Sequence, residues 1–367
     1  MGTNAMQTKI SYLIFVLLHF SLSYQALAKS LPENDFTQLA HIKTAIQPYV
    51  NDGFAGSIVV ANEFGTIFSQ SYGQAVPGVA NFSTSTVVDI ASVSKQFTAA
   101  AIMRLVEDGL MDTSDLMSQY IENVPEDKVD ITIHHLLTHS AGFKRDAGRD
   151  EEAASRVSYE YKAMASKLAF GVGEQYHYSN IGYNLLAIIV EKVSKMRFED
   201  YLFVHLFKPA GMFSTGYLRP DWSQYSVAEI TEPYKGYKSQ LELNQDLEDE
   251  AWNFVGSGGI LSTADDMVKW HVALSTGKII SYVSQELMFS PHVKEYEEGY
   301  FYGYGWSIVP FKDRDTLVWH NGMSFFGKAE YWRIPEQKLM IFVASNRGEV
   351  EPWSVANALY QTLYQQK

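Results

Sequence analysis

The chain has 367 residues, 46% hydrophobic and 19% charged, with a formal net charge of −13. Those proportions describe a globular protein of one large or two interleaved domains rather than a disordered tail, and the acidic balance argues against nucleic acid or anionic lipid as a partner. The absence of cysteine excludes disulfides, thiolate metal sites and a lipid-modified N-terminal cysteine.

Among residues 1–28 only Lys9 is charged; an apolar run, ISYLIFVLLHFSLS, is followed by small residues at Ala26 and Ala28. This predicts a secretory signal cleaved after Ala28, hence a periplasmic or secreted protein with no stable membrane insertion once it is cut. An uncleaved anchor is the competing reading, because the uncharged run is about long enough to span a bilayer. Phe36, Leu39, Ile42 and Ile46 then have helical spacing. GSIVVANEFGTIFSQSYG reads as a hairpin turning at Asn62–Gly65, and an alanine-rich helix runs from Ser92 to a stop at Gly109.

From about Met111 to Gly216 the signals are nearly all helical. Thr132 caps a short helix that Gly142 ends, and acids 150–152 open a helix through DEEAASRVSYEYKAMASKLAF. IGYNLLAIIVEKVSK and RFEDYLFVHLF are two more, closed by Pro209 and Gly211. Residues 217–255 read as an irregular surface excursion, pinned by Trp222, Tyr225, Tyr234, Tyr237 and Trp252 rather than lining a substrate entrance. A glycine loop at 256–259 precedes a helix with Ser262 and Asp265 in a capping-box pattern. YGYGWSIV, TLVWH, AEYWRI and LMIFVAS read as strands, and a helix from about Trp353 to Tyr364 follows. Consecutive strands without helical crossovers imply an antiparallel sheet. The expected fold class is α/β (α+β): an antiparallel sheet flanked by helices, with an inserted all-helical subdomain. Residues 29–367 form one expected domain, its sheet part about 36–110 and 256–367 and its helical part about 111–255.

Lys95, an ammonium at the start of an apolar helix, needs a reason. Ser92 and Lys95 lie three apart on one helical face. A serine nucleophile requires a base and oxyanion donors, and the G-x-S-x-G elbow that often supplies them is absent. Ser92 meets the positive end of the helix dipole, and burial lowers a lysine from about 10.4. The same pair also reads as an N-cap and a snorkelling lysine. A second S-x-x-K, Ser275 to Lys278, sits at a helix end with Gly277 as its cap. Tyr178 and Asn180 stand just before a helix, where a tyrosine beside a lysine can act as general base and an asparagine can orient an amide. His320, Asn321 and Gly322 end a strand, the glycine allowing close backbone approach. His135 and His139 lack the acidic residue of a zinc H-E-x-x-H site, so no metal and no cofactor is expected.

Taken together, these motifs resemble the serine β-lactamase and DD-peptidase (penicillin-binding) family. The likeness is strongest to its tyrosine-containing branch of class C β-lactamases, DD-carboxypeptidases and related esterases. The S-x-x-K motif stands as Ser92-Val93-Ser94-Lys95, Y-x-N as Tyr178-Ser179-Asn180 and [K/H]-x-G as His320-Asn321-Gly322. LLTHSAGF, YSNIGYNLLAIIVEKV, GSGGILSTADDMVKW and YGYGWSI are similar to connecting segments of the family, over roughly 36–365. The resemblance implies a β-lactamase/transpeptidase-like fold and a serine hydrolase in which Ser92 is acylated while Lys95 and Tyr178 share proton transfer. It further implies that Asn180, His320, Asn321, Gly322 and Met323 meet the substrate. In that scheme Asn180 contacts Lys95 and the substrate amide, and the Ser92 and Met323 N–H groups form the oxyanion hole. His320 faces a substrate carboxylate or keeps Tyr178 polarised.

Two positions depart from the family pattern. Val172 replaces a usual proline. His320 stands where many β-lactamases have lysine, and it is not a permanent cation near neutrality. That favours a D-alanyl-D-alanine carboxypeptidase-like or esterase-like hydrolase over a class C-type β-lactamase. The expected partner is a small-molecule or peptidoglycan-derived substrate, with D-alanyl peptides, β-lactams and small esters all open and the oligomeric state unassigned. The other function class is a catalytically silent periplasmic relative that binds peptidoglycan fragments or a protein partner.

Overall fold

Two distant parts of the chain meet in one sheet. The computed structural model describes residues 33–312, 315–346 and 348–364; the predicted signal lies outside the described residues. The early strands are β1 (Gly56–Asn62), β2 (Gly65–Tyr72), β3 (Gln74–Val76), β4 (Ala80–Asn81) and β5 (Val88–Asp89). The later ones are β6 (Leu261–Ser262), β7 (Val293–Lys294), β8 (Phe301–Tyr302), β9 (Ser307–Val309), β10 (Leu317–Met323), β11 (Lys328–Ile334) and β12 (Leu339–Ser345). Eight of them form an antiparallel sheet in the order β2-β1-β12-β11-β10-β9-β8-β7, while β3 pairs with β4 and β5 with β6.

Successive side chains alternate between the two faces, and β1 and β12, which bury both, are accordingly apolar through most of their length. Ile58, Val60, Ile341 and Val343 face one way, onto Ile42 and Ile46 of helix α1 (Glu33–Asn51) and Val355 and Leu359 of the C-terminal helix (Pro352–Tyr364). Val59, Ala61, Phe342 and Ala344 face the main core, which also takes Phe97 and Ala100 of α2 (Lys95–Glu107).

Between the early and late strands run α3 (Ile133–Leu137), α4 (Arg156–Ala165), α5 (Asn180–Ser194), α6 (Phe198–Leu202), α7 (Lys208–Ala210) and α8 (Gln240–Leu247). After β6 come α9 (Ala264–Ser275) and α10 (Tyr282–Met288), and the C-terminal helix is α11.

Several local readings shift. The Thr132 helix ends at Leu137, well short of Gly142: Thr132 and His135 cap each other reciprocally, and His139 takes a left-handed φ of 59°. Acids 150–152 precede α4, whose cap is Ser155. Pro209 lies inside α7, and Gly211, at φ 80°, closes it. The cap of α9 is Thr263 rather than Ser262, its hydroxyl accepting from the Asp266 N–H. The excursion after 217 contains a helix, α8, capped by Ser239 through the Glu242 N–H.

Candidate active site

The backbone before Ser92 is bent at Ala91, whose φ is 44°. Two contacts hold that bend. The Asp89 carboxylate accepts the Ala91 N–H at 2.8 Å and, through its other oxygen, the Ser324 hydroxyl. Behind it, β10 passes so close that a Cβ on Gly322 would lie 2.1 Å from the Ile90 carbonyl oxygen. Ser92 then enters a 3-10 turn, Ala91–Ser94, that continues into α2. The turn is thus anchored to the strand end that carries His320, Asn321, Gly322 and Met323.

Lys95 is 0% exposed. Its Nζ lies 2.7 Å from the Ser257 carbonyl oxygen, 2.8 Å from Asn180 Oδ1 and 3.1 Å from Ser92 Oγ. The Asn180 amide is oriented because its Nδ2 donates to Asp146 Oδ1 at 2.6 Å, and a carboxylate can only accept. Ser257 is presented by the glycine loop. Gly256 has φ 95°, and a Cβ there would lie 2.6 Å from the Tyr183 carbonyl oxygen on α5. Burial, and secondarily Arg145, holds Lys95 well below the ordinary lysine range, against the pull of Asp146 and Asp150.

This geometry suits an amine. Two obligate acceptors, Asn180 Oδ1 and the Ser257 carbonyl oxygen, take two N–H bonds, and the third position of Nζ points to Ser92 Oγ.

Tyr178 is half-buried, and its ring centroid lies 4.8 Å from Lys95 Nζ. Burial raises the phenol; the Ser92 side chain and Arg145 oppose that rise, and Asp146 and Glu295 add to it. Ser92 therefore lies between a depressed amine and a protonated phenol.

His320 sits elsewhere. It is 2% exposed. Its Nε2 is 3.0 Å from the Tyr302 hydroxyl and its Nδ1 2.6 Å from the Asn321 carbonyl oxygen. The carbonyl can only accept, so the ring proton is on Nδ1 and the Tyr302 hydroxyl donates to Nε2. Burial above all, and then the neighbouring Lys95, pushes the imidazole down to about 3. The ring is neutral, occupied at both nitrogens and behind the cleft wall. Of the two expected roles, facing a substrate carboxylate or keeping Tyr178 polarised, the position bears on both: Met323 and Ser324 line the cleft while His320 does not, and the His320 ring lies 6.2 Å from that of Tyr178, centroid to centroid.

The cleft over Ser92 has a volume of about 560 Å³. Arg145, Asp146, Asp150, Tyr234, Met323, Ser324 and Phe325 are among the residues that line it. Tyr234 stacks on Phe325, ring centroids 3.5 Å apart at 7°. Of the excursion's aromatics, Trp222 and Trp252 are buried, whereas Tyr234 lines the cleft. Asp89, Asp146, Ser257 and Ser324 were not singled out from sequence. For Ser257 a signal existed in the glycines around it; the others meet Ser92 or its partners only through the tertiary fold. Among the described residues, no cluster of His, Cys, Asp and Glu could hold a metal ion.

Comparison with known proteins bears on the family and the fold. The chain is 28% identical over 320 residues to penicillin-binding protein 4* of Bacillus subtilis, covering 81% of this chain and 69% of that protein. An octameric penicillin-binding protein homologue from Pyrococcus abyssi superposes with a TM-score of 0.77 at 25% identity, over 89% of this chain and 77% of the other. A β-lactamase/D-alanine carboxypeptidase from Yersinia pestis superposes with a TM-score of 0.73 at 17% identity, over 88% and 98%, a likeness of fold alone. The family model described as Beta-lactamase matches residues 42–365, so nearly all of the described structure falls within it, and the chain belongs to the β-lactamase family of serine hydrolases.

Proposed function

We propose that Ser92 is the nucleophile of a secreted hydrolase that works through an acyl-enzyme on D-alanyl-D-alanine-type peptides or small esters. The observation that carries this reading is the Lys95 amine, held by Asn180 and Ser257 with its free position 3.1 Å from Ser92 Oγ. Lys95 takes the Ser92 proton as Oγ bonds to the substrate carbonyl carbon, and the carbonyl π pair moves to oxygen. The Ser92 and Met323 N–H groups meet that oxyanion. When the tetrahedral intermediate collapses, the C–N or C–O bond breaks and Tyr178 gives its phenolic proton to the leaving group. The proton on Lys95 then returns to Tyr178. Water repeats the sequence to release the acid.

The neutral, buried His320 supports a peptidase-like or esterase-like member over a lysine-bearing β-lactamase. Secretion rests on the N-terminal 28 residues, and the mass of protein recovered from a host periplasm checks it.

The deciding experiment is intact mass after incubation with a penicillin, beside a Ser92→Ala control. The expected result is a stable adduct on the wild type alone. Fast penicillin loss without an adduct would identify a β-lactamase. No adduct, and no turnover of penicillin, D-alanyl peptide or short-chain ester, would overturn the reading in favour of a silent binding protein.

A further inference from the structure

The segment LLTHSAGF contains a histidine that the reaction does not use. His139 is 2% exposed, adopts φ 59°, and packs its ring 4.4 Å from that of Tyr178, centroid to centroid. Its hydrogen bonds bracket that tyrosine. The His139 carbonyl accepts the His177 N–H at 2.8 Å, and His139 Nδ1 accepts the Ser179 N–H at 3.1 Å. Residues 177 and 179 thus turn their N–H groups to one residue, as alternate positions of an extended chain do, while the Tyr178 N–H faces the Tyr296 hydroxyl at 3.4 Å.

Because Nδ1 accepts, the neutral ring carries its proton on Nε2. That nitrogen has no hydrogen-bond partner among the described residues and lies among the rings of Tyr183 and Tyr302, at 5.0 and 4.6 Å between centroids. A left-handed backbone at a non-glycine residue and a buried unpaired N–H are both unfavourable. Together they mark a residue held in place by its surroundings.

We infer that His139 is a positioning residue: it clamps the chain on both sides of Tyr178 and so fixes the phenol against Ser92. This deepens the proposed function and rests on it. The ring is buried and packs against Tyr178, so it acts through that tyrosine.

The clamp is tested by two substitutions that both tolerate the left-handed backbone. His139→Gly removes the ring and Nδ1 but keeps the carbonyl; His139→Asn offers a side-chain oxygen to the Ser179 N–H. The readouts are the rate of Ser92 acylation by an unactivated alkyl ester, whose alkoxide leaving group needs a proton, together with KM and thermal midpoint, in the wild type and in a Tyr178→Phe background. Misplacement of a reacting group by about 1 Å costs on the order of 100-fold. His139→Gly should therefore slow acylation by about 10- to 100-fold with KM little changed, and His139→Asn should recover most of the loss. In Tyr178→Phe, which should itself be slow, His139→Gly should add less than about 2-fold.

Losses that multiply in the double variant, or a His139→Gly enzyme as fast as the wild type, would overturn the clamp. A Tyr178→Phe enzyme with full activity would overturn it too. If instead Ser92→Ala retains wild-type turnover, the proposed function itself fails and takes the clamp with it. Should His139→Gly not fold, His139→Asn alone decides: a slow enzyme whose slowness persists undiminished on top of Tyr178→Phe refutes the inference.

Discussion

Lys95 owes its usefulness to a cost that the fold imposes on it. A lysine without water favours its neutral form, and a general base of suitable pKa contributes about 100- to 10,000-fold to acylation. Lys95→Gln should therefore lower the Ser92 acylation rate by at least about 100-fold, measured by burst kinetics with an activated ester. The pH dependence follows from the same depression. Between the lowered folded value and the unfolded one the unfolded chain binds more protons at Lys95, so this group's contribution to stability rises with pH across that window. The base is lost on the acid side, so acylation should fall as pH drops through the lowered value; a rate with no acid limb anywhere in the range where the protein stays folded would refute the assignment.

Glu330 shows the opposite sign. It is 5% exposed, accepts the Trp332 Nε1–H at 2.8 Å, and burial pushes it up to about 8, with Glu351 adding to the rise. Its folded form holds a proton that the unfolded chain releases near 4.5, so stability is lost as pH rises towards 8. Glu330→Gln should raise the thermal midpoint at pH 9 by roughly 5 °C and do little at pH 4. At this scale the Ser92–Lys95 pair was legible because three residues make one helical face. The burial of His320 was not, because its partner Tyr302 lies on β8, two strands away in the sheet, and nothing local announces that pairing.

Elements bring these residues together through a few tight contacts. Gly322 is needed for space rather than for backbone freedom, since its Cβ would strike the Ile90 carbonyl. Gly322→Ala should push β10 away from the Ser92 turn, costing about 1–3 kcal/mol of stability and slowing acylation more than it weakens substrate binding; urea unfolding and burst kinetics measure the two effects. The reciprocal cap at Thr132 and His135 starts α3, so Thr132→Ala should cost about 1 kcal/mol by urea unfolding with acylation unchanged. Helix starts in the sequence were readable to within a residue or two where a cap was strong, as at Thr132 and Thr263, whereas acids 150–152 suggested a start ahead of the Ser155 cap of α4. The helix α8 carried the same kind of signal, Ser239 followed by Glu242, but its acidic and aromatic surroundings hid the apolar face formed by Leu243 and Leu247. The α3 helix stopped early because His139 turned left-handed for a tertiary reason, the bracket around Tyr178.

In the whole molecule, antiparallel pairing was legible from successive strands without crossovers. β12 lies in the sheet interior, between β1 and β11, which fits LMIFVAS, a run too apolar for a strand with one wet face. Which early strand it would meet depended on the core rather than on local pattern. The β1–β12 pairing makes one of the sheet's inner ladders a contact between chain segments made very early and very late. Helices α1 and α11 pack side by side over that ladder. A circular permutant that joins α11 to α1 by a flexible linker and opens at the exposed Gly78–Val79 turn would place β12, α11, α1 and β1 consecutively in the chain. Mean contact separation would fall, and folding rate with it would rise. Such a permutant should refold faster than the parent in stopped-flow fluorescence while its Ser92 still acylates, so the slow step in making this enzyme would be the wait for its two ends to find each other.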